Sequence, residues 1–175
     1  GTAADTIMAG GGNNIVIGSD SVRSDRNFVS NSGGNGIQVS GYSGSIKVLG
    51  NAIDHSALDG IKVSYAHGTI TEEGVDQGDA EVLVSIFSPV EIEIAGNTVQ
   101  QSGDDGIEVS NVQGGTVYIH NNTISDSGYG SISGDEGEYG NSYGDYSGAD
   151  GIHVGQVYNF GGGDQPKLAS ALTSL

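Results

Sequence analysis

The chain has 175 residues, 22 of them acidic and 5 basic, for a formal net charge of −17. That balance argues against nucleic acid or membrane insertion, because an anionic partner surface is gripped by clustered Lys and Arg and no apolar run approaches the roughly 18–20 residues of a membrane helix. With 32 glycines and no cysteine, the chain has neither a disulfide framework nor a thiolate metal site.

The opening "GTAAD" reads as a processed product or as an internal piece of a longer protein. In "ADTIMAGGGNNIVIG" (4–18), Asp5 and Asn14 stand nine apart, each followed two residues on by an aliphatic residue, Ile7 and Val16. That spacing resembles the calcium-binding nonapeptide of RTX proteins. The resemblance implies a Gly-rich cap over 1–18 with a Ca²⁺ half-site at Asp5 and Asn14, in which oxygen donors surround a hard cation. Ala9 and Asn14 depart from that motif, and Asn supplies no charge.

From residue 19 a longer period takes over. "GIQVS" (36–40), "GIKVS" (60–64), "GIEVS" (106–110) and "GIHVG" (151–155) are near copies. In three of the four, an Asn precedes the Gly by nine residues: Asn27 and Gly36, Asn51 and Gly60, Asn97 and Gly106. "SIKVL" (45–49), "EIEIA" (91–95) and "TVYIH" (116–120) form a third set. Asn27 to Asn51 is 24 residues and Asn97 to Asn122 is 25, so the unit is 24–25 residues. Each unit holds three short segments with period-2 alternation, which predicts strands rather than helices.

Three strands per unit, each unable to bury its apolar face alone, predict an all-β fold: a single-stranded right-handed parallel β-helix, or solenoid. Its inward ladders would be Ile37/Val39, Ile61/Val63, Ile107/Val109 and Ile152/Val154. Ile46/Val48, Ile92/Ile94 and Val117/Ile119 would follow, with Val29, Ile53, Val99 and Ile124. The pattern resembles the repeat shared by pectate lyases, polygalacturonases, alginate epimerases and large bacterial surface proteins. It covers residues 19–160, with insertions at about 66–90 and 128–148; residues 161–175 read as a Gly/Pro linker with one helical turn from Leu168.

"SGDDGIEVS" (102–110) poses the functional question. Paired aspartates are the acid and base of many glycoside hydrolases. In the repeat register Asp105 aligns with Asn35, Asp59 and Asp150, all before Gly, which reads as a turn bonding its own backbone with Gly at positive φ. Asp104 aligns with Leu58, so nothing in the turn demands it. Stacked about 4.8 Å apart, Asp59, Asp105 and Asp150, with Asp104 beside them, would recruit a cation, Ca²⁺ first. "GDDG" and "AHG" (66–68) resemble polygalacturonase motifs. However, His67 precedes the aspartates, and after Lys62 the only Lys or Arg is Lys167. The outward residues of the first strand are Gln38, Lys62, Glu108 and His153. Lys62 and Glu108 would pair, and His153 beside Glu108 is a weak acid–base candidate. Asn27, Asn51, Asn97 and Asn122 would form a corner ladder, with Ser32, Ser56, Ser102 and Ser127 as a second column.

The insertions carry the individuality. The first reads as a hairpin with an acidic tip, one apolar face on the rod and the other, with Leu83 and Phe87, toward a partner. The second interleaves Tyr129, Tyr139, Tyr143 and Tyr146 with acids, a composition suited to contact with protein or glycan.

Together these readings predict an extracellular or cell-surface structural and adhesive segment, calcium-influenced, self-associating or binding other surface proteins. The alternative is a polysaccharide-active enzyme or its glycan-binding remnant.

Overall fold

The computed structural model describes residues 7–19, 21, 25–76, 81–128, 151–155, 157–158 and 169–171. Among them the regular structure is strand throughout: β1 (Ile7–Gly18), β2 (Phe28–Ser32), β3 (Ile37–Leu49), β4 (Ala52–Ser56), β5 (Ile61–Ser64), β6 (Thr69–Asp76), β7 (Glu81–Ser88), β8 (Val90–Ala95), β9 (Thr98–Ser102), β10 (Ile107–Ser110), β11 (Val112–Gln113), β12 (Gly115–His120), β13 (Thr123–Ser125), β14 (Ile152–Val154), β15 (Val157–Tyr158) and β16 (Ala169–Ala171). Where one helical turn is expected from Leu168, Ala169–Ala171 instead pairs in parallel with Tyr118–His120. A ready-made sheet edge supplies the backbone partners that an isolated turn lacks.

Among the described residues all strand pairings are parallel except in the β6–β7 hairpin. The main sheet runs β14-β10-β5-β3-β8-β12-β16 with β1 on β3, and a second runs β13-β9-β4-β2. Outside the hairpin, each described strand pairs with its counterpart one repeat away, and the register slips only in β1, between Asn13 and Ile15. Ile37, Ile61, Ile107 and Ile152 stack in one column, Ile46, Ile92 and Val117 in a second, and Val29, Ile53, Val99 and Ile124 in a third. We call each such layer a rung. The sheets curl around these ladders, an arrangement compatible with a solenoid-like fold.

Period-2 alternation decides what is inside. Ile37, Val39, Ile61, Val63, Val48, Ile92, Ile94, Val99, Ile107 and Val109 have no exposed surface. Ile152 and Val154 are partly buried against the same core. Burying one such side chain contributes roughly 1.5–3 kcal/mol, so these ladders outweigh any exposed ion pair. β1 belongs to the same scheme, with Ile7 opposite Ile37 and Ile17 opposite Val48. β3 continues from the first column into the second without a break, where two strands and a turn are expected.

The turns obey two rules the repeat alone does not reveal. First, Gly36, Gly60 and Gly106 are not at positive φ, contrary to the turn reading. They are glycine because of crowding: a Cβ on Gly60 would sit 2.6 Å from Gly106 O and 2.9 Å from Ser102 Oγ. Second, Asn31, His55, Gln101 and Asp126 occupy one repeat position and are all left-handed, at φ 54–58°. That kink ends the third strand of each rung.

The first insertion forms the hairpin β6–β7. Neither face of its described side chains is buried: Ile70 is 67% exposed, Ile86 40% and Phe87 39%. At the base of the hairpin the Phe87 ring lies over Gly68. An antiparallel ribbon satisfies its own backbone and has no need to lie flat on the sheet. Leu83 stands on β7 opposite Gly74. Tyr129, Tyr139, Tyr143 and Tyr146 lie outside the described residues.

Candidate functional site

The Asn column is complete. Asn51 donates to Asn97 Oδ1 from its backbone N at 2.8 Å and from Nδ2 at 3.0 Å. Asn97 donates in the same way to Asn122 Oδ1, at 2.9 Å from each nitrogen. Asn27 Nδ2 donates to Asn51 Oδ1 at 2.9 Å. Each ladder amide also reaches back a rung: Asn51 Nδ2 to Ile17 O, Asn97 Nδ2 to Val48 O and Asn122 Nδ2 to Ile94 O, at 3.0, 2.9 and 2.8 Å. One side chain thus ties three rungs. Gly50, Gly96 and Asn121, each left-handed, precede the ladder residues and turn the chain into place.

The aspartate column follows the same principle. Asn35 Oδ1 accepts the Asp59 N–H, and Asp59 Oδ1 accepts the Asp105 N–H, both at 3.1 Å. The side chains of Asn35 and Asp59 thus bond the next rung's backbone, where the turn reading expects bonds to their own. A neighbour 4.8 Å away presents an unmet N–H in line with the carboxylate.

These bonds bring three acids together. The carboxylates of Asp59, Asp105 and Glu108 lie within 4.8 Å of one another. Asp59 is 1% exposed. Lys62 Nζ donates to Asp59 Oδ2 at 3.1 Å and also to Glu108 Oε2. Repeat register produces this geometry: Glu108 stands opposite Lys62 on the adjacent strand, and Asp59 precedes Lys62 by one turn. Burial pushes the Asp59 carboxyl up to about 6, against the pull of Lys62. At Glu108 burial is the largest influence and raises the pKa, but hydrogen bonds from Lys62 and Ser110, the Lys62 charge and the bond with Asp59 together hold the carboxyl below its ordinary value. For Lys62, burial lowers the pKa, and the bonds to Glu108 and Asp59 overcome this and raise it.

The ammonium thus sits where a cation would sit among these acids. A Ca²⁺ ion seeks six to eight oxygens, and a lysine held between two of the three carboxylates competes with it directly. Asp104 is exposed and outside the cluster, with its N–H directed to Leu58 O at 3.3 Å. His153 stands opposite Glu108 in register and is half-buried. Asn14 adopts φ 62° and its Oδ1 accepts the Ser45 N–H at 2.7 Å. Asp5 and Asp150 lie outside the described residues.

Two features went unread in the sequence, an ion-pair group on the second column and the unmet hydroxyls of the serine column. Lys47 Nζ and His120 Nε2 flank Glu93 at 2.9 and 3.3 Å. Hydrogen bonding from Lys47, opposed by burial and helped by His120, holds the Glu93 carboxyl down. Laying "SIKVL", "EIEIA" and "TVYIH" side by side does place Lys47 opposite Glu93, so the signal was there. The second is orphaned polarity: Ser56, Ser102 and Ser127 carry buried hydroxyls without a hydrogen-bond partner. Tested against known protein families, curated proteins and solved structures, the chain matches none.

Proposed function

We propose that this chain is a right-handed parallel β-helix segment of an extracellular surface or matrix protein, with a structural and adhesive role rather than a catalytic one. The observation that carries the reading is how its repeated polar side chains are spent. Asn51, Asn97 and Asn122, and Asn35 and Asp59, give their oxygens to backbone N–H groups of other rungs. Side chains committed to holding rungs together are not available to a substrate. Asp59, at 1% exposure beneath Lys62, cannot touch a polymer chain. A strong acidic excess suits a saline, calcium-containing exterior. Calcium enters through Asp59, Asp105 and Glu108, in competition with Lys62.

One observation favours the polysaccharide-active alternative. Asp59 at about 6 and Glu108 below its ordinary value are two neighbouring carboxyls pushed apart, the pattern of an acid and a base. Incubation with polygalacturonate, alginate and neutral glycans, read by reducing ends and unsaturated uronate, separates the two. The scaffold reading expects no turnover. Turnover that Glu108→Gln abolishes would establish the enzyme instead. Melting in millimolar Ca²⁺ and in chelator tests the ion, and coincident curves would remove calcium from the proposal.

A further inference from the structure

The hairpin β6–β7 is a ribbon of two strands, and among the described residues neither pairs with a third. A two-stranded ribbon is marginally stable in water by itself, and gains stability from a third strand or a covered apolar face. Here Ile70, Ile86 and Phe87 are exposed, and so are Glu72 and Glu73. Asp76 stands opposite Glu81, and like charges directly opposed across two strands destabilise the pair. No Lys or Arg lies between Lys62 and Lys167, so the hairpin has none to offset these acids.

Strand alternation sorts the ribbon into two sides. Register puts Glu72, Asp76 and Glu81 on one, with Ile70 and Phe87 at its base. Ile86 and the valine positions 75, 82 and 84 fall on the other, with Glu73. The two edges differ as well. β6 carries Glu72, Glu73 and Asp76, whereas β7 has no charged residue and no proline from Val82 to Ser88. Charge and proline are what guard an edge against pairing, so β7 is the open side of the arm.

We propose that β6–β7 is a docking arm for a basic segment of a second protein, which adds as a third strand along β7 with Lys or Arg on the acidic side and apolar residues on the valine side. Strand addition draws affinity from main-chain bonds and selectivity from alternate side chains, so alternating basic and apolar residues are the pattern this ribbon selects. Charge also identifies the occupant as a different protein. The chain's own cations are Arg23, Arg26, Lys47, Lys62 and Lys167, which form no basic run. Lys47 and Lys62 are moreover held by Glu93 and Glu108. A second copy, or the acidic Tyr-rich insertion, would bring carboxylates to carboxylates. Such docking deepens the adhesive role proposed above and rests on it. The two fail separately: glycan turnover would not touch binding at the hairpin, and loss of that binding would not touch the Asn ladder.

Fluorescence anisotropy tests it, with the 175-residue chain titrated into a labelled, capped peptide that alternates Lys and Val over the length of β7. Circular dichroism melting confirms the fold of each variant. The alternating peptide is expected to bind about tenfold or more tightly than one of the same composition with Lys and Val in separate blocks. Glu72→Lys places a cation on the acidic side and should weaken binding about tenfold or more with melting unchanged. Ile86→Ser should weaken it as well. Asp104→Lys makes the same change of net charge on an exposed turn of the rod and should leave binding within about twofold, because the charge there is screened from the hairpin. Equal losses from Glu72→Lys and Asp104→Lys would reduce the attraction to net charge and overturn the proposal. So would a block peptide that binds as tightly, or no binding at the highest soluble concentration. A wild-type dimer in sedimentation velocity that Ile86→Ser disperses would give the arm to a second copy. Peptide binding that appears only on deleting residues 128–148 would give it to the chain's own insertion, and either result overturns the proposal.

Discussion

Asn97→Ala should be among the most destabilising single changes in the rod. Asn97 is 1% exposed, and its side chain makes four contacts. Oδ1 accepts from the backbone N and the Nδ2 of Asn51, and Nδ2 donates to Val48 O and to Asn122 Oδ1. Truncation leaves the Asn51 N–H and the Val48 carbonyl deprived of a partner in a buried corner. It also strips one bond from each neighbouring amide. A buried polar group left unsatisfied costs about 1–3 kcal/mol, and two such groups with two weakened amides come to about 4 kcal/mol. For a domain of this size that corresponds to roughly 8–16 °C in melting temperature. The assay is urea unfolding followed by circular dichroism, with Asn27→Ala as the comparison. Asn27 is half-buried and only donates into the ladder, from Nδ2 at 2.9 Å and from its backbone N at 3.3 Å. Its loss should cost about 1 kcal/mol. If Asn97→Ala cost under about 1 kcal/mol, or no more than Asn27→Ala, the ladder would not be what binds the rungs.

Removing the cation from the acid cluster should be felt mainly above neutral pH. Lys62→Met leaves Asp59 buried without its partner, an effect of about 3–5 kcal/mol that urea unfolding should show at pH 8 and find much reduced at pH 4, where Asp59 is protonated. Asp59 itself gives the pH profile a definite sign. Its folded pKa of about 6 lies above the unfolded value, so the folded state holds the proton longer and stability falls as pH rises between about 4 and 6. The size is roughly 3 kcal/mol. Asp59→Asn keeps the acceptor for the Asp105 N–H, and the difference between its unfolding profile and that of wild type should carry this slope; parallel profiles would refute the assignment. Gly60→Ala drives a methyl into the Gly106 carbonyl and Ser102. It should cost about 3 kcal/mol or more by the strain of overpacking, measured by thermal melting, whereas Gly10→Ala, with open space at that position, should cost under about 1 kcal/mol.

Much of this molecule was written in its repeat. Copies of "GIxVS" fixed which aliphatic residues face inward, because a two-residue alternation leaves only one face to bury, and Ile37, Ile61 and Ile107 are buried accordingly. Asn51, Asn97 and Asn122 were legible as a column for the same reason. The matching copies "GIKVS" and "GIEVS" also put Lys62 beside Glu108 across the first insertion.

What sequence could not decide was which groups meet between rungs and how deeply they are buried. Alignment says that Asp59 and Asp105 are equivalent; only the packed sheet makes Asp59 accept from the Asp105 backbone and leaves it 1% exposed under Lys62. Likewise Gly60 looked like a residue chosen for its torsion angle, and is a glycine because a carbonyl of the next rung occupies the space of its Cβ. The hairpin's apolar residues announced a strand pair, and the fold left Ile70 and Ile86 in solvent. Periodicity is a property of one chain segment and survives in the sequence. Contact between rungs, with the burial and pKa shifts it brings, arises only once segments far apart in sequence lie a strand's width apart.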